Sequence, residues 1–198
     1  MREETCSGAL AAFLQGQAVR AQNYFGAHPV QHEGQQGHLF RVWAPHAALV
    51  AVMGDFNGWD PDICPMEPIG GGVWEGIVPG LKRYDTYKYA VHTKDGRILA
   101  KADPYAFHAE TRPGTGSKIY DLGEYVWGDE AWLNHRKRSP IYDHPLNIYE
   151  LHLGSWRRTG GGELLTYREI AQYLVPYVKE LGFTHVELLP VTEHPLDD

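Results

Sequence analysis

Cysteine is scarce in this chain. Among 198 residues only Cys6 and Cys64 carry a thiol. Two cysteines cannot build the disulfide framework of a small secreted domain, so the expected compartment is a reducing one, the cytoplasm. Positive charge is also short: 18 Lys and Arg stand against 25 Asp and Glu, for a net charge of −7. A nucleic-acid-binding face needs a basic excess, so nucleic acid is not an expected partner. A neutral polysaccharide makes no such demand, and the charge is silent on it. Long apolar runs are missing as well. No stretch approaches the roughly 20 apolar residues of a membrane span, so no membrane partner is expected. The chain opens Met1-Arg2-Glu3-Glu4, acidic where a secretory leader needs positive charge, and the apolar run that follows covers only residues 9–14. A metal site is not expected either. His28, His32 and His38 lie in a polar Gln/Gly/His loop with no cysteine or carboxylate cluster to complete a ligand set of the usual type.

What is present is enough for a packed core. Hydrophobic residues make up 43% of the chain and aromatics 12%, and this length fits one large domain or one domain and a piece of another. Residues 1–23 are an extension of low motif content, in which 8–21 read either as one short helix or as unstructured chain. From His38 the pattern becomes strand and turn. Residues 39–43 alternate, with Phe40 and Val42 opposite Leu39, Arg41 and Trp43, and Pro45 ends the strand because proline cannot donate to a ladder. Residues 49–53 form a second strand. The run 54–61, GDFNGWDP, is a dense turn that thrusts Phe56 and Trp59 outward. Residues 73–78 form a third strand, entered through three glycines. Residues 85–93 form a fourth, with Tyr87, Tyr89 and Val91 on one side and Thr86, Lys88 and Ala90 on the other. Asp95-Gly96 marks a hairpin, 97–100 return, and 118–122 form a last short strand. Short strands at this spacing, separated by turn signals, read as a β-sandwich.

Residues 123–146 read as a linker. It carries Trp127 and Trp132, read as anchors, and the solvated basic run Arg136-Lys137-Arg138. The period then changes. Residues 148–153 are a short apolar strand broken by Gly154-Ser155. Thr166 followed by Glu169 is a capping box, and Ile170, Leu174, Val178 and Leu181 share one helical face that stops at Gly182. Pro176, inside this pattern, is expected to kink the helix. Residues 184–191 read as a fully buried strand ended early by Pro190. Strand, helix and strand of this length make one βαβ unit.

Two sets of motifs carry a family resemblance. "IYELHLGSW" followed by two arginines, and then "TYREIAQYLVPYVKELGFTHVELLPVTEHP", resemble the opening of the catalytic barrel of glycogen branching enzymes, in the α-amylase superfamily. "FGAHPV", "FRVWAPHA", "GDFNGWD", "YKYAV", "KADPYAF" and "RPGTGS" resemble that family's glycogen-binding sandwich, in the family's order. The match runs from about Tyr24 to the last residue. The fold it implies is mainly β: an immunoglobulin-like β-sandwich over 24–122, a linker over 123–146, and over 147–198 the first β-α-β unit of an incomplete (β/α)8 barrel. The rest of that barrel, or another chain, is expected to cover the exposed strands.

The resemblance implies 1,4-α-glucan branching for the parent enzyme, with α-glucans (glycogen, amylose, maltooligosaccharides) as partners and no cofactor. Retaining enzymes of this kind use two carboxylates. The family holds them at the ends of barrel strands 4 and 5, past the end of this sequence, so no catalytic residue is assigned and the segment alone is expected to be inactive. For glucan binding the resemblance points to Trp59 and Lys88. Trp74 and Arg97 are further candidates, because sugar C–H faces stack on indole rings and sugar hydroxyls bond to charged side chains. His152, Trp156 and Glu193 follow the two barrel strands and are rim candidates. Glu150, Glu187 and His194 read as scaffold or as distal contacts. Two other readings stand beside branching: a related trehalose-releasing hydrolase or debranching enzyme, and a non-catalytic glucan-binding module.

Overall fold

The computed structural model describes residues 2–192, with the backbone alone for 2–7 and Glu124. It divides into two compact units that meet in sequence between Val126 and Trp127. Among the described residues no helix is long and apolar enough to cross a membrane.

The first unit is built on two antiparallel sheets. One has strand order β1-β2-β5-β4, from β1 (Gly26–His32), β2 (Gln35–Trp43), β5 (Val73–Pro79) and β4 (Glu67–Gly70). The other has order β3-β6-β7, from β3 (Ala47–Gly54), β6 (Thr86–Thr93) and β7 (Ile98–Lys101), with β8 (Ser117–Lys118) also paired to β6. The inward faces of both sheets form one core. Phe40, Val42, Trp74 and Val78 come from the first sheet, and Val50, Val52, Tyr87 and Tyr89 from the second. Phe40 meets Tyr87 edge-on at 5.1 Å between ring centres, an arrangement aromatic quadrupoles favour.

The expected alternation over 39–43 is seen: Phe40 and Val42 are buried while Trp43 is exposed. Outward-facing Arg41 stands opposite Glu75 in the register and donates from Nε to its carboxylate at 2.6 Å. A helix, α1 (Arg2–Leu14), supplies Leu10 and Phe13 to a second cluster with Tyr24, Phe25 and Val73.

Several expectations need correction. The stretch holding His28, His32 and His38, read as a loop, is the β1–β2 hairpin. Its two-residue turn, Glu33-Gly34, has φ of +50° and +80°, the left-handed pair that matches strand twist. β4 was not expected, and the last strand ends at Lys118, not 122, because 122–124 turn into a short 3-10 helix capped by Asp121. Phe56 does not point out: it packs against the sandwich core.

One buried polar group crosses this core. Asp103 is 6% exposed and accepts from the Tyr87 hydroxyl at 2.7 Å, the Tyr89 hydroxyl at 3.2 Å and the Tyr105 N–H at 2.8 Å. Burial pushes its carboxyl above the usual range, against the pull of those three donors, and burial beside this carboxyl pushes both phenols upward too.

The second unit holds α2 (Glu130–Arg138), β9 (Ile148–Leu151), the one-turn α3 (Leu153–Trp156), α4 (Tyr167–Glu180) and β10 (His185–Leu188). The stretch read as a linker therefore contains a helix, and its basic run closes that helix, with Arg136 stacked 4.8 Å over Trp132. Cations in a last turn complement the helix dipole. The Thr166–Glu169 capping box is present, and Ile170, Leu174 and Val178 bury against Leu151. Leu181, expected on that face, is the C-cap and is 51% exposed.

β10 pairs with β9 in parallel, but it is not the fully buried strand expected. Val186 and Leu188 are level with Tyr149 and Leu151, yet they are 40% and 46% exposed. A parallel strand is fully buried only when both its faces are covered and both its edges paired.

Candidate functional site

The run from Gly54 to Trp59 is a built structure, not a passive turn. Gly54 must be glycine, since a side-chain carbon there would collide with the Thr86 carbonyl and stand 2.6 Å from the Phe56 ring. Asn57 ties the turn down. Its side-chain oxygen accepts from the Gly54 N–H at 2.9 Å, and its amide donates to the Val52 carbonyl at 3.0 Å. The chain then reaches Trp59 in the left-handed region, at φ +62°. The Trp59 indole N–H donates to Asp55 at 3.0 Å, and the other oxygen of Asp55 accepts from the Thr86 N–H at 3.2 Å. The ring is thus braced through Asp55 against the start of β6 and remains 38% exposed. Asp55 and Asn57 position the turn and the Trp59 ring and were not singled out in the sequence, although both stand inside the GDFNGW run.

Lys88 lies at the same end of the sheet: it pairs with Met53, one residue before the Gly54–Tyr87 pair that opens the turn. It is half-buried, and its ammonium donates to the Thr115 hydroxyl at 2.6 Å. The two residues resembling the glucan-contacting pair are therefore brought to one end of one sheet.

The other two candidates are not. Trp74 is a core residue, 9% exposed, with its indole N–H bonded to the Ala44 carbonyl at 3.0 Å. Its hydrophobic face is already used by the packing between the sheets. Arg97 sits at the far end of the β6–β7 hairpin, clasped by Asp95 at 2.8 Å. From Lys88 to the level of Arg97 is about five residues along a strand, or roughly 17 Å.

In the second unit His152 is exposed. It caps α3, with Nδ1 3.0 Å from the Ser155 hydroxyl. Trp156 is folded inward, donating to the Tyr149 hydroxyl at 3.0 Å and meeting Tyr177 edge-on at 5.9 Å. Glu193 lies outside the described residues. Among the described residues no three His, Cys, Asp or Glu side chains group as a metal site would need.

Residues 24–106 match the family described as carbohydrate-binding module 48 (isoamylase N-terminal domain). Curated relatives extend the match. The 1,4-alpha-glucan branching enzyme GlgB of Bacillus caldolyticus is 48% identical over 93% of this chain and 28% of its own length. Those of Halothermothrix orenii and Rhodospirillum rubrum are each 48% identical, over 93% and 96% of this chain and 30% and 26% of their own lengths. The chain thus spans under a third of these relatives.

Among solved structures, a Salmonella typhimurium protein described as an alpha amylase is 26% identical with a TM-score of 0.59, over 85% of this chain and 25% of its own. A product complex of the multi-modular glycogen-degrading pneumococcal virulence factor SpuA, 21% identical with a TM-score of 0.58 over 86% of this chain and 20% of its own, shares the fold. Residues 24–106 match the carbohydrate-binding module 48 family, and over almost its whole length the chain is similar to part of the 1,4-alpha-glucan branching enzymes.

Proposed function

We propose that this chain is the glucan-holding N-terminal part of a 1,4-α-glucan branching enzyme working in the cytoplasm. The module occupies 24–122 as an immunoglobulin-like sandwich, 123–146 connect it, and 147–198 open a (β/α)8 barrel with its first β-α-β unit. In the parent reaction a carboxylate displaces the glucan chain at an α-1,4 bond and forms a glucosyl ester. The departing 4-oxygen takes a proton from the acid/base carboxyl. A glucan 6-hydroxyl then displaces the ester, returning its proton to that group and leaving an α-1,6 branch. Neither carboxylate is assigned to this chain. Taken alone, the segment is a binding module without the catalytic pair, and this is the second reading we retain for it.

The observation that carries the reading is the posture of Trp59. A large apolar ring is held at the surface by a bonded aspartate, with a cationic side chain at the same end of the sheet. An exposed indole held in one orientation offers a flat apolar face on which a sugar ring stacks. Calorimetric titration of the chain with maltoheptaose checks this. Trp59→Ala is expected to weaken binding at least about tenfold, and an unchanged affinity overturns the assignment. For the full-length parent, incubation with amylose is expected to remove iodine colour without release of reducing ends. Release of reducing ends overturns branching in favour of hydrolysis.

A further inference from the structure

Beside the tip of the β1–β2 hairpin lies a cleft of about 420 Å3 that shares no residue with the Trp59–Lys88 pair. Small-ligand sites run from about 300 to 1,000 Å3. Gln31, Gln36 and His38 line it from the hairpin, and Arg83 and Asp121 from the facing segments. Next to it the rings of Tyr84, His108 and Tyr120 make a mutual cluster, with centres 5.5 to 5.8 Å apart. Arg83 belongs to both features: its guanidinium lies 5.0 Å over Tyr84 and 4.4 Å over Tyr120. Tyr84 is 47% exposed and holds φ +74°, a conformation a bulky residue adopts only under constraint. The Tyr84 N–H donates to the Ile119 carbonyl at 2.8 Å, which locks the ring beside the cleft.

The chemistry of this surface is that of a neutral, hydroxyl-rich ligand. Two side-chain amides and a carboxylate offer donors and acceptors, and flat rings beside them offer stacking faces. The cleft has no excess charge to select an ion, since Arg83 is offset by Asp121. Burial lowers the His38 pKa, which keeps that ring neutral near pH 7. The His38 Nδ1 is enclosed, with no hydrogen-bond partner among the described residues.

We propose that the cleft and the Tyr84–His108–Tyr120 shelf form a second binding site for a linear α-glucan on the same module. This rests on the proposed glucan-binding function, and the test separates the two. The nitrogen-labelled chain is titrated with maltoheptaose to about 10 mM, enough to fill a millimolar site, while the Trp59 indole and the amides of Gln36, His38 and Tyr120 are followed by NMR. Both sets of signals are expected to move.

In Trp59→Ala the cleft amides are expected to move still. In Tyr120→Ala, and in the milder Gln36→Ala should the first fail to fold, affinity read at the cleft is expected to fall at least about tenfold with the Trp59 response unchanged. Movement at Trp59 without movement in the cleft overturns the second site and leaves the proposed function standing. Loss of the cleft response in Trp59→Ala shows one site, not two, and overturns it as well. Silence at both sites overturns both claims.

Discussion

Asp103 is the residue on which the sandwich core turns, because three donors converge on its nearly buried carboxyl. Leaving the two phenols unpaired in that core costs about 1–3 kcal/mol for each lost partner. Asp103→Ala is therefore expected to lower the unfolding free energy by about 2–4 kcal/mol, read from urea denaturation. The pH dependence follows from the directions of the shifts. A carboxyl raised on folding stabilises fully below its unfolded value of 3.8, and that contribution fades as pH rises through the folded value.

The same sign holds for the phenols. The unfolded tyrosines lose protons near 10.0 while the native pair retains them, so stability is complete below that pH and falls above it. The urea midpoint is expected to drop above about pH 10, and to drop less steeply in Tyr87→Phe. An equal slope in the two proteins would sink this account.

The two tyrosine bonds of this network were not legible in the sequence, because Tyr89 and Tyr87 lie 14 and 16 residues from Asp103 and bonding at that distance leaves no local signal. Trp74 misled for a related reason. α1 and Phe25 cover Val73 on one side of β5 while the sandwich covers Trp74 on the other, so alternation alone does not say which face is wet. The outward placement of Trp59 was legible because the turn that presents it is written in consecutive residues.

At the scale of elements, local chemistry was readable where it was local. The Thr166–Glu169 box was visible as a spacing of three residues, and both reciprocal bonds are formed. Thr166→Ala is expected to cost about 1 kcal/mol, measured as a lower midpoint for loss of the far-ultraviolet helical signal.

The β1–β2 hairpin was missed although its turn ends in glycine. The histidines and glutamines around it lack the β-branched and aromatic character that marks a strand, and the pairing is imposed by β2, itself held by β5. Glu33 occupies a left-handed position where asparagine is favoured. Glu33→Asn is expected to raise stability by about 0.5 kcal/mol with unchanged sugar affinity. The helix inside 123–146 was hidden by its composition: α2 buries no residue, so no apolar stripe announces it.

For the whole molecule, the order of architectures was legible: antiparallel sheets first, then a parallel pair with a helix between. The exposure of β10 was not, since a run of apolar residues states what a strand is suited to and not what covers it. The proposed division of labour gives a direct test. Pure chain incubated with amylose is expected to produce no new α-1,6 linkages by proton NMR, and their appearance would place the chemistry inside these 198 residues.

The packing of Trp74 has a practical corollary. Of six tryptophans in the sequence, four (Trp43, Trp59, Trp127 and Trp132) are between 38% and 72% exposed and Trp156 is half-buried, while Trp74 alone is closed off by the core and bonded within it. A collisional quencher such as iodide would darken the exposed indoles and spare this one. Its residual fluorescence would then serve as a built-in optical gauge of whether the two sheets are still pressed together.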